Sequence, residues 1–509
     1  MADSLAMPPV RRLVLTLASM GAVLMQVLDS TIANVALPHM QAALSASQDS
    51  IAWVLTSYII ASAIATPLTG WLEGRIGRRN LFGVSVGGFT VASAMCGASH
   101  SLVMMVASRG LQGMFGAFLN PLSQSVMLDI YPAEKRAQAM SIWGMGVMIG
   151  PIMGPIIGGW LTDSFNWRWI FYINLPFGII SAIVLWFLLD EGQSPRRHFD
   201  MRGFSMLAVT LASFQLMLDR GTQRDWFHST EIIIEAGIAL SGLWMFIVHT
   251  LTARSPLLSR TLFTDRNFVA SNVILVLMVT IYMPGSVLIS PMLQQLFGYS
   301  TAQAGMVMMP RGLGMTVGML VAARLSSKVD LRGVIVAGFI LVAIGQWIMS
   351  GFDLAMNSRP VVVSGLINGV GVGAVMMPLN LLAYTTLPPF LRTEAASLYS
   401  LSRSLSASVS ISIMTALIAH NSQVSHSDVS AHVTTLALPM VEGQVVQTIG
   451  AFGGRIAAMV DAEVNRQALM IAYLDDFWLM MWVCVAAVPF VFLLRDSRRI
   501  PKIEDVVME

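Results

Sequence analysis

Two residues of opposite charge stand where charge is costly. Asp29 and Arg109 each lie inside an apolar run long enough to cross a bilayer. Counted from the ends of those runs at about 1.5 Å per residue, Asp29 is about 12 Å and Arg109 about 10 Å below the same face. They are therefore level. A charge at a helix centre costs roughly 2.5–3.5 kcal/mol on insertion scales, so such residues are retained for a use. Two uses are open. Desolvation favours a neutral Asp29 and the Arg109 cation favours the ionised form, so moving the partner or admitting water switches a proton on and off. Alternatively the pair is a static clip between two helices, and Arg109 has a structural or gating role.

Other polar groups follow the same faces. Arg109, Gln112, Gly116, Asn120 and Gln124 recur at helical spacing, Gln26 precedes Asp29 by three, and Asn380 and Tyr384 are one turn apart. Gln26, Gln112, Asn120, Gln124, Asn380 and Tyr384 are candidate lining residues of a substrate cavity. The competing reading is ordinary interhelical hydrogen bonding, worth about 0.6 kcal/mol each. Gly150, Gly154 and Gly158 recur every four residues and permit close helix approach, while Pro151 and Pro155 remove backbone donors and predict a bend. The 37 methionines suit a site for varied apolar ligands, or fill lipid-facing positions. No G-x-x-x-x-G-K-[ST] loop exists, since none of the three lysines follows a glycine. There is no HExxH or cysteine zinc site and no strand-borne G-x-S-x-G elbow. The expectation is a chain that is not an enzyme and has no cofactor, no catalytic residue and no metal. Its energy source is then an ion gradient, worth about 2.3 kcal/mol per charge per 100 mV.

The elements that carry these residues follow from composition. The chain is 55% hydrophobic and 11% charged, against about 25% charged in soluble proteins. Lipid must be the solvent. A net charge of +2 gives no ground for nucleic acid. Cys96 and Cys484 lie in apolar runs, which argues against a disulfide scaffold. The first run, Leu13 to Leu37, is too long for a cleavable signal. Fourteen runs of spanning length begin near Leu13, Ile51, Leu81, Leu102, Ala137, Ile170, Phe204, Ile232, Phe268, Ala302, Val334, Val361, Ala395 and Tyr473. With both termini inside, about 21 Lys and Arg fall on inner segments and about six on outer ones. Three remain within spans: Arg109, Arg311 and Arg403. The outer segment 419–472 is the long exception among short loops. Its later part, IAAMVDAEVNRQALMIAYL, has helical apolar spacing and is expected to lie against the membrane. His420, His426 and His432 read as part of a solvated loop rather than a metal site.

The chain repeats itself. NPLSQSVMLDIYPAEKRA matches MPLNLLAYTTLPPFLRTE, pairing Pro121 with Pro378, Pro132 with Pro389 and Lys135 with Arg392 at one constant offset. Gln112-Gly113 matches Asn368-Gly369, and the basic loop EGRIGRRN matches RLSSKVDLRG. Spans 4 and 5 thus correspond to 12 and 13. The expected organisation is a six-helix bundle over 1–190, a two-helix insert over 191–266, a second six-helix bundle over 267–494 and a tail over 495–509. Two similar bundles facing a central path suit alternating access. The insert's outer turn, LDRGTQRDWF, reads as a solvated cap.

At this point a resemblance is plain. LDSTIANVALP, GWLEGRIGRR, RGLQGMFGAF, GPIMGPIIGG and WRWIFYINLP stand in the order found in fourteen-span drug:proton antiporters of the major facilitator superfamily. The chain resembles the EmrB type of multidrug efflux subunit over nearly its whole length. The resemblance implies an all-α integral membrane fold and adjacency of the spans bearing Asp29 and Arg109. It also implies proton-coupled export of apolar or amphipathic drugs across the bacterial cytoplasmic membrane. A periplasmic adaptor of the EmrA type and an outer-membrane channel would be partners. Export of one dedicated metabolite, such as a siderophore or a lipid-like product, is the alternative. Gly70, Glu73, Arg75, Gly77, Arg78 and Arg79 match the gating loop, and Gly150, Gly154, Pro155 and Gly158 the antiporter motif. Two departures stand out. Gly74 replaces the usual acidic residue, so the charge relay at that gate is expected to be altered or absent. Ser141 replaces a glycine at the start of the antiporter motif, a minor loss.

Overall fold

In hydrocarbon every backbone N–H and C=O must be paired inside its own segment, so apolar runs of this length become helices. The computed structural model describes residues 7–132, 135–191, 198–326, 328–432 and 443–495, and among these it holds helices and no strand. The first bundle comprises α1 (Pro9–Ala43), α2 (Trp53–Ile76), α3 (Arg78–Gly97), α4 (Leu102–Ile130), α5 (Arg136–Ser164) and α6 (Trp169–Leu188). Next come α7 (Met201–Gly221) and α8 (Thr230–Thr252). The second bundle comprises α9 (Arg266–Phe297), α10 (Thr301–Leu325), α11 (Leu331–Met349), α12 (Arg359–Thr385), α13 (Arg392–His432) and α14 (Gly443–Val491). Thirteen of these have the length and hydropathy of a span. The fourteenth, α5, has 29 residues and is long enough to cross. Of the tail 495–509, all but Arg495 lies outside the described residues.

The sequence repeat reappears as a repeat of packing. In the first set α1 packs on α4, α5 and α6, α3 on α4 and α6, and α2 on α4; in the second, α9 packs on α12, α13 and α14, α11 on α12 and α14, and α10 on α12. Glycines make the closest approaches. A Cβ on Gly113 of α4 would lie 2.3 Å from the Tyr58 carbonyl oxygen of α2, and a Cβ on Gly369 of α12 would lie 2.0 Å from the Arg311 carbonyl oxygen of α10. These contacts make Tyr58 and Arg311 counterparts. The α1–α5 seam is glycine-built too: Cβ atoms on Gly150, Gly154 and Gly158 would meet Val27, Thr31 and Ile32. Helix α5 runs unbroken through Pro151 and Pro155, whose side chains lie outside the description.

Two expectations need correction. The stretch 456–474 does not form a separate helix along the membrane. It belongs to α14, which has 49 residues and packs against the 41-residue α13. At about 1.5 Å per residue both are more than twice the roughly 30 Å hydrocarbon thickness, so their paired ends project beyond the outer face. His426 of α13 meets Asp461 of α14 there at 3.2 Å. The outer turn of α7–α8 is not merely a solvated cap either. Arg220 pairs with Glu231, Arg224 approaches Glu231 at 3.5 Å, and Gln215 donates to Asp219 at 2.8 Å. Helix α7 packs on α2 and touches α13, with Leu211, Ala63 and Leu401 in one apolar cluster. The hairpin therefore braces the seam between bundles from outside.

Because backbone oxygen cannot retreat as a side chain can, Gly113→Ala and Gly369→Ala should each cost about 1–3 kcal/mol of packing. The measurement is thermal unfolding of the purified protein in detergent. Melting temperatures equal to the wild type's would show that these helices are not in backbone contact.

Candidate functional site

Asp29 and Arg109 meet. Both are buried to within 2% of complete, and Arg109 Nη1 donates to Asp29 Oδ2 at 2.6 Å. Gln112 Nε2 donates to the other carboxylate oxygen at 2.8 Å, and Asn174 Nδ2 of α6 donates to it at 3.0 Å. The ionised carboxylate thus accepts from three donors, which is what a buried charge requires. The cation is held separately. Arg109 also donates to Gln112 Oε1 at 2.8 Å and through Nε to the Val54 carbonyl at 3.2 Å. Its guanidinium lies 4.4 Å from the Tyr58 ring centre and 5.8 Å from that of Phe171. Ser93 of α3 accepts from Asn174 at 3.0 Å and donates to the Phe171 carbonyl at 2.9 Å. Gln26 lies beside the Tyr58 hydroxyl. Five helices thus converge on one carboxylate.

The arrangement can store and release a proton. Protonating Asp29 removes the anion but leaves Arg109 its carbonyl, amide and aromatic contacts. The cation then stays seated while the link from α1 to α4 and α6 weakens. The reverse step restores the three donors.

A second constellation lies at the cytoplasmic end. Glu73 is buried and accepts from Arg78 Nε at 2.6 Å. Arg78 Nη1 reaches Asp129 of α4 at 2.5 Å, and Arg392 of α13 reaches the other Asp129 oxygen at 2.6 Å. The relay across the gate is present, with Glu73 serving from one position before Gly74. Gly77 joins α2 to α3 at φ +83°, a conformation that favours glycine. Gly70 is pressed on Glu394 of α13, leaving 3.0 Å for a Cβ. Arg75 lies over Trp71, and the exposed pair Arg79–Glu191 ties α3 to the end of α6 at 2.5 Å.

Between these levels the bundles are in contact. Tyr384 of α12 donates to Gln124 Oε1 of α4 at 3.0 Å, and Thr393 of α13 donates to Ser125 at 2.8 Å. Ser141 uses its hydroxyl to reach the Met319 carbonyl of α10 at 3.2 Å, so the loss of glycine there gains a contact between bundles. Asn120 and Asn380 are buried as well. In this state Gln124 and Tyr384 belong to a closed seam on the cytoplasmic half. Sequence reasoning missed Tyr58, Ser93, Asn174 and Asp129. Asn174 lies in WRWIFYINLP, where it is the one side-chain amide. Asp129 lies in the repeated segment. Among the described residues no His, Cys, Asp and Glu cluster fits a metal.

A paired repeat of six helices, a gated cytoplasmic seam and a buried acid–base pair define a transporter, and residues 20–411 match the Major Facilitator Superfamily, to which the chain belongs. It is 35% identical to "Multidrug export protein EmrB" of Haemophilus influenzae over 480 residues, covering 93% of this chain and 94% of that one. It is 33% identical to "Fatty acid resistance protein FarB" of Neisseria gonorrhoeae over 93% of this chain and 94% of that one. Within the superfamily it stands with these EmrB-type proteins. A solved proton:xylose symporter, XylE, shares the fold at TM-score 0.60 and 13% identity, covering 96% of each chain.

Asp129→Asn should loosen the seam, since both Arg78 and Arg392 lose a charged acceptor. A cysteine at buried Thr393 should then react with a water-soluble thiol reagent in inverted vesicles about fivefold faster than in the parent. Unchanged reactivity would mean that the relay does not hold the gate.

Proposed function

We propose that this protein is a proton-driven exporter of apolar and amphipathic small molecules, working by alternating access in the cytoplasmic membrane. The single observation that carries the proton coupling is the sealed Asp29 carboxylate with its three donors from α4 and α6. The printed names of the relatives, multidrug export and fatty acid resistance, support the choice of cargo and the outward direction. The proton gradient is the energy source, and no cofactor enters the scheme. Proton entry to Asp29 and cargo occupancy of the central path alternate because both require the bundles to move. An adaptor of the EmrA type and an outer-membrane channel complete the export path in this reading.

Asp29→Asn should abolish gradient-driven efflux while the protein still reaches the membrane. Efflux at the wild-type rate with normal expression would falsify the coupling role. Arg109→Ala should be worse than Arg109→Lys, because lysine keeps the charge but loses the planar fork. Transport in matched vesicles measures both. Full activity in the two variants would make the pairing incidental. A drug-susceptibility profile of cells with and without the chain tests the cargo class directly.

A further inference from the structure

Of the three arginines within spans, Arg109 alone has a carboxylate. Among the described residues no acidic oxygen stands within 4 Å of Arg311 or Arg403. Arg403 lies eleven residues into α13 from Arg392, about 16 Å deep and so near the bilayer midplane. It is half-buried, and its guanidinium carbon is 5.6 Å from the Trp143 ring of α5 in the first bundle. Tyr282 of α9, Tyr384 of α12 and Tyr399 of α13 lie close enough to feel its charge. Tyr384 and Tyr399 pack edge to face at 6.0 Å.

Three N–H or O–H groups in this region are idle. Trp143 Nε1, the Tyr399 hydroxyl and Gln124 Nε2 are buried without a partner, and the three side chains are each no more than 2% exposed. Behind Tyr282 stands a second guanidinium. Arg311 is 5% exposed and donates from Nη2 to the Tyr282 carbonyl at 3.1 Å, with Nε and Nη1 unpaired. Two cations that have no carboxylate within 4 Å among the described residues, with three idle N–H or O–H groups nearby and walls of aromatic rings, are complementary to an anion on an apolar body. The guanidinium fork takes a planar carboxylate by two parallel hydrogen bonds. The rings take the chain that follows it.

We propose that Arg403, with Trp143, Tyr399 and Gln124, is a binding site for the anionic end of an amphipathic cargo. The site spans both bundles, with Trp143 and Gln124 on the first and Tyr399 and Arg403 on the second. An occupant therefore touches both halves that must move. The inference rests on the export reading and adds to it a class of cargo, the amphipathic monoanion, and the residue that selects it.

The test is equilibrium binding to the full-length protein in nanodiscs with three radiolabelled probes: decanoate, methyl decanoate and decyltrimethylammonium. Decanoate should bind the wild type about tenfold tighter than its ester, a difference of one charged hydrogen-bonded contact. Arg403→Gln should reduce decanoate to the level of the ester and leave the ester unchanged. Arg403→Lys should retain most of the preference, which separates loss of charge from loss of fold. Equal binding of decanoate and ester to the wild type would overturn the proposal, as would an equal loss of both in Arg403→Gln. Replacing gluconate by chloride distinguishes an inorganic occupant: displacement of decanoate by chloride would reassign the site and overturn the amphipath. Gradient-driven movement of the same probes in vesicles tests the export reading separately. If none moves, that reading fails; if all move without regard to charge or to Arg403, only the site fails.

Discussion

The cost of a charge in hydrocarbon organises this molecule. Each intramembrane ion must be paired, delivered to water or kept for a partner that arrives, and the first solution is fully developed here. Asp29 and Arg109 are matched so completely that the carboxylate has a donor from two other helices besides the cation. That demand explains why α1, α2, α3, α4 and α6 converge as they do. Glu73, Arg78, Asp129 and Arg392 sit at the cytoplasmic end as a chain of alternating signs in direct contact. Among the described residues Arg403 has no carboxylate within 4 Å.

The repeat shows how one ancestral arrangement supports two roles. Gly113 and Gly369 are pressed against the carbonyls of Tyr58 and Arg311 in the same way. Asn368 stands at the place of Gln112, and Gly365 at the place of Arg109. The cation has therefore moved from the fourth helix of the bundle to the second, and the second bundle has no acid corresponding to Asp29 on α9. A Cβ on Gly365 would stand 3.5 Å from the Arg311 Cβ, an ordinary contact distance, so the two positions are neighbours. One bundle pairs its buried cation with an acid; the other holds a buried cation, Arg311, that donates to the Tyr282 carbonyl.

Much of this was legible in the residues. Helix number and orientation followed from apolar run length and the basic bias of inner loops. The meeting of Asp29 and Arg109 followed from equal depth together with the helix adjacency implied by the family resemblance, and the repeat followed from prolines at a constant offset. What was not legible had a physical reason. Asn174 and Ser93 are neutral and small, so nothing in their type or spacing separates a carboxylate ligand from a helix-packing residue. Glu73 substitutes for the acid missing at Gly74 because the end of α2 presents it toward Arg78, and one residue of shift along a helix cannot be judged without the neighbouring chain. The outer segment was misread because its apolar spacing fits equally a helix lying on lipid and one packed on α13. The spacing shows a buried face but not what buries it.

Helix α13 carries Arg392 at its cytoplasmic end and His426 beyond the outer face, with no break between them. It is thus a rigid beam, stiffened by its pairing with α14. Domain rotations in bistable proteins are on the order of 15°. Pivoting near mid-membrane, a beam end about 30 Å away would sweep roughly 8 Å. Whenever the second bundle rocks to part Arg392 from Asp129, the outer tip must travel sideways by a distance comparable to a helix diameter. The state of a gate on one side of the membrane is thereby displayed mechanically on the other, with no ligand carrying the message.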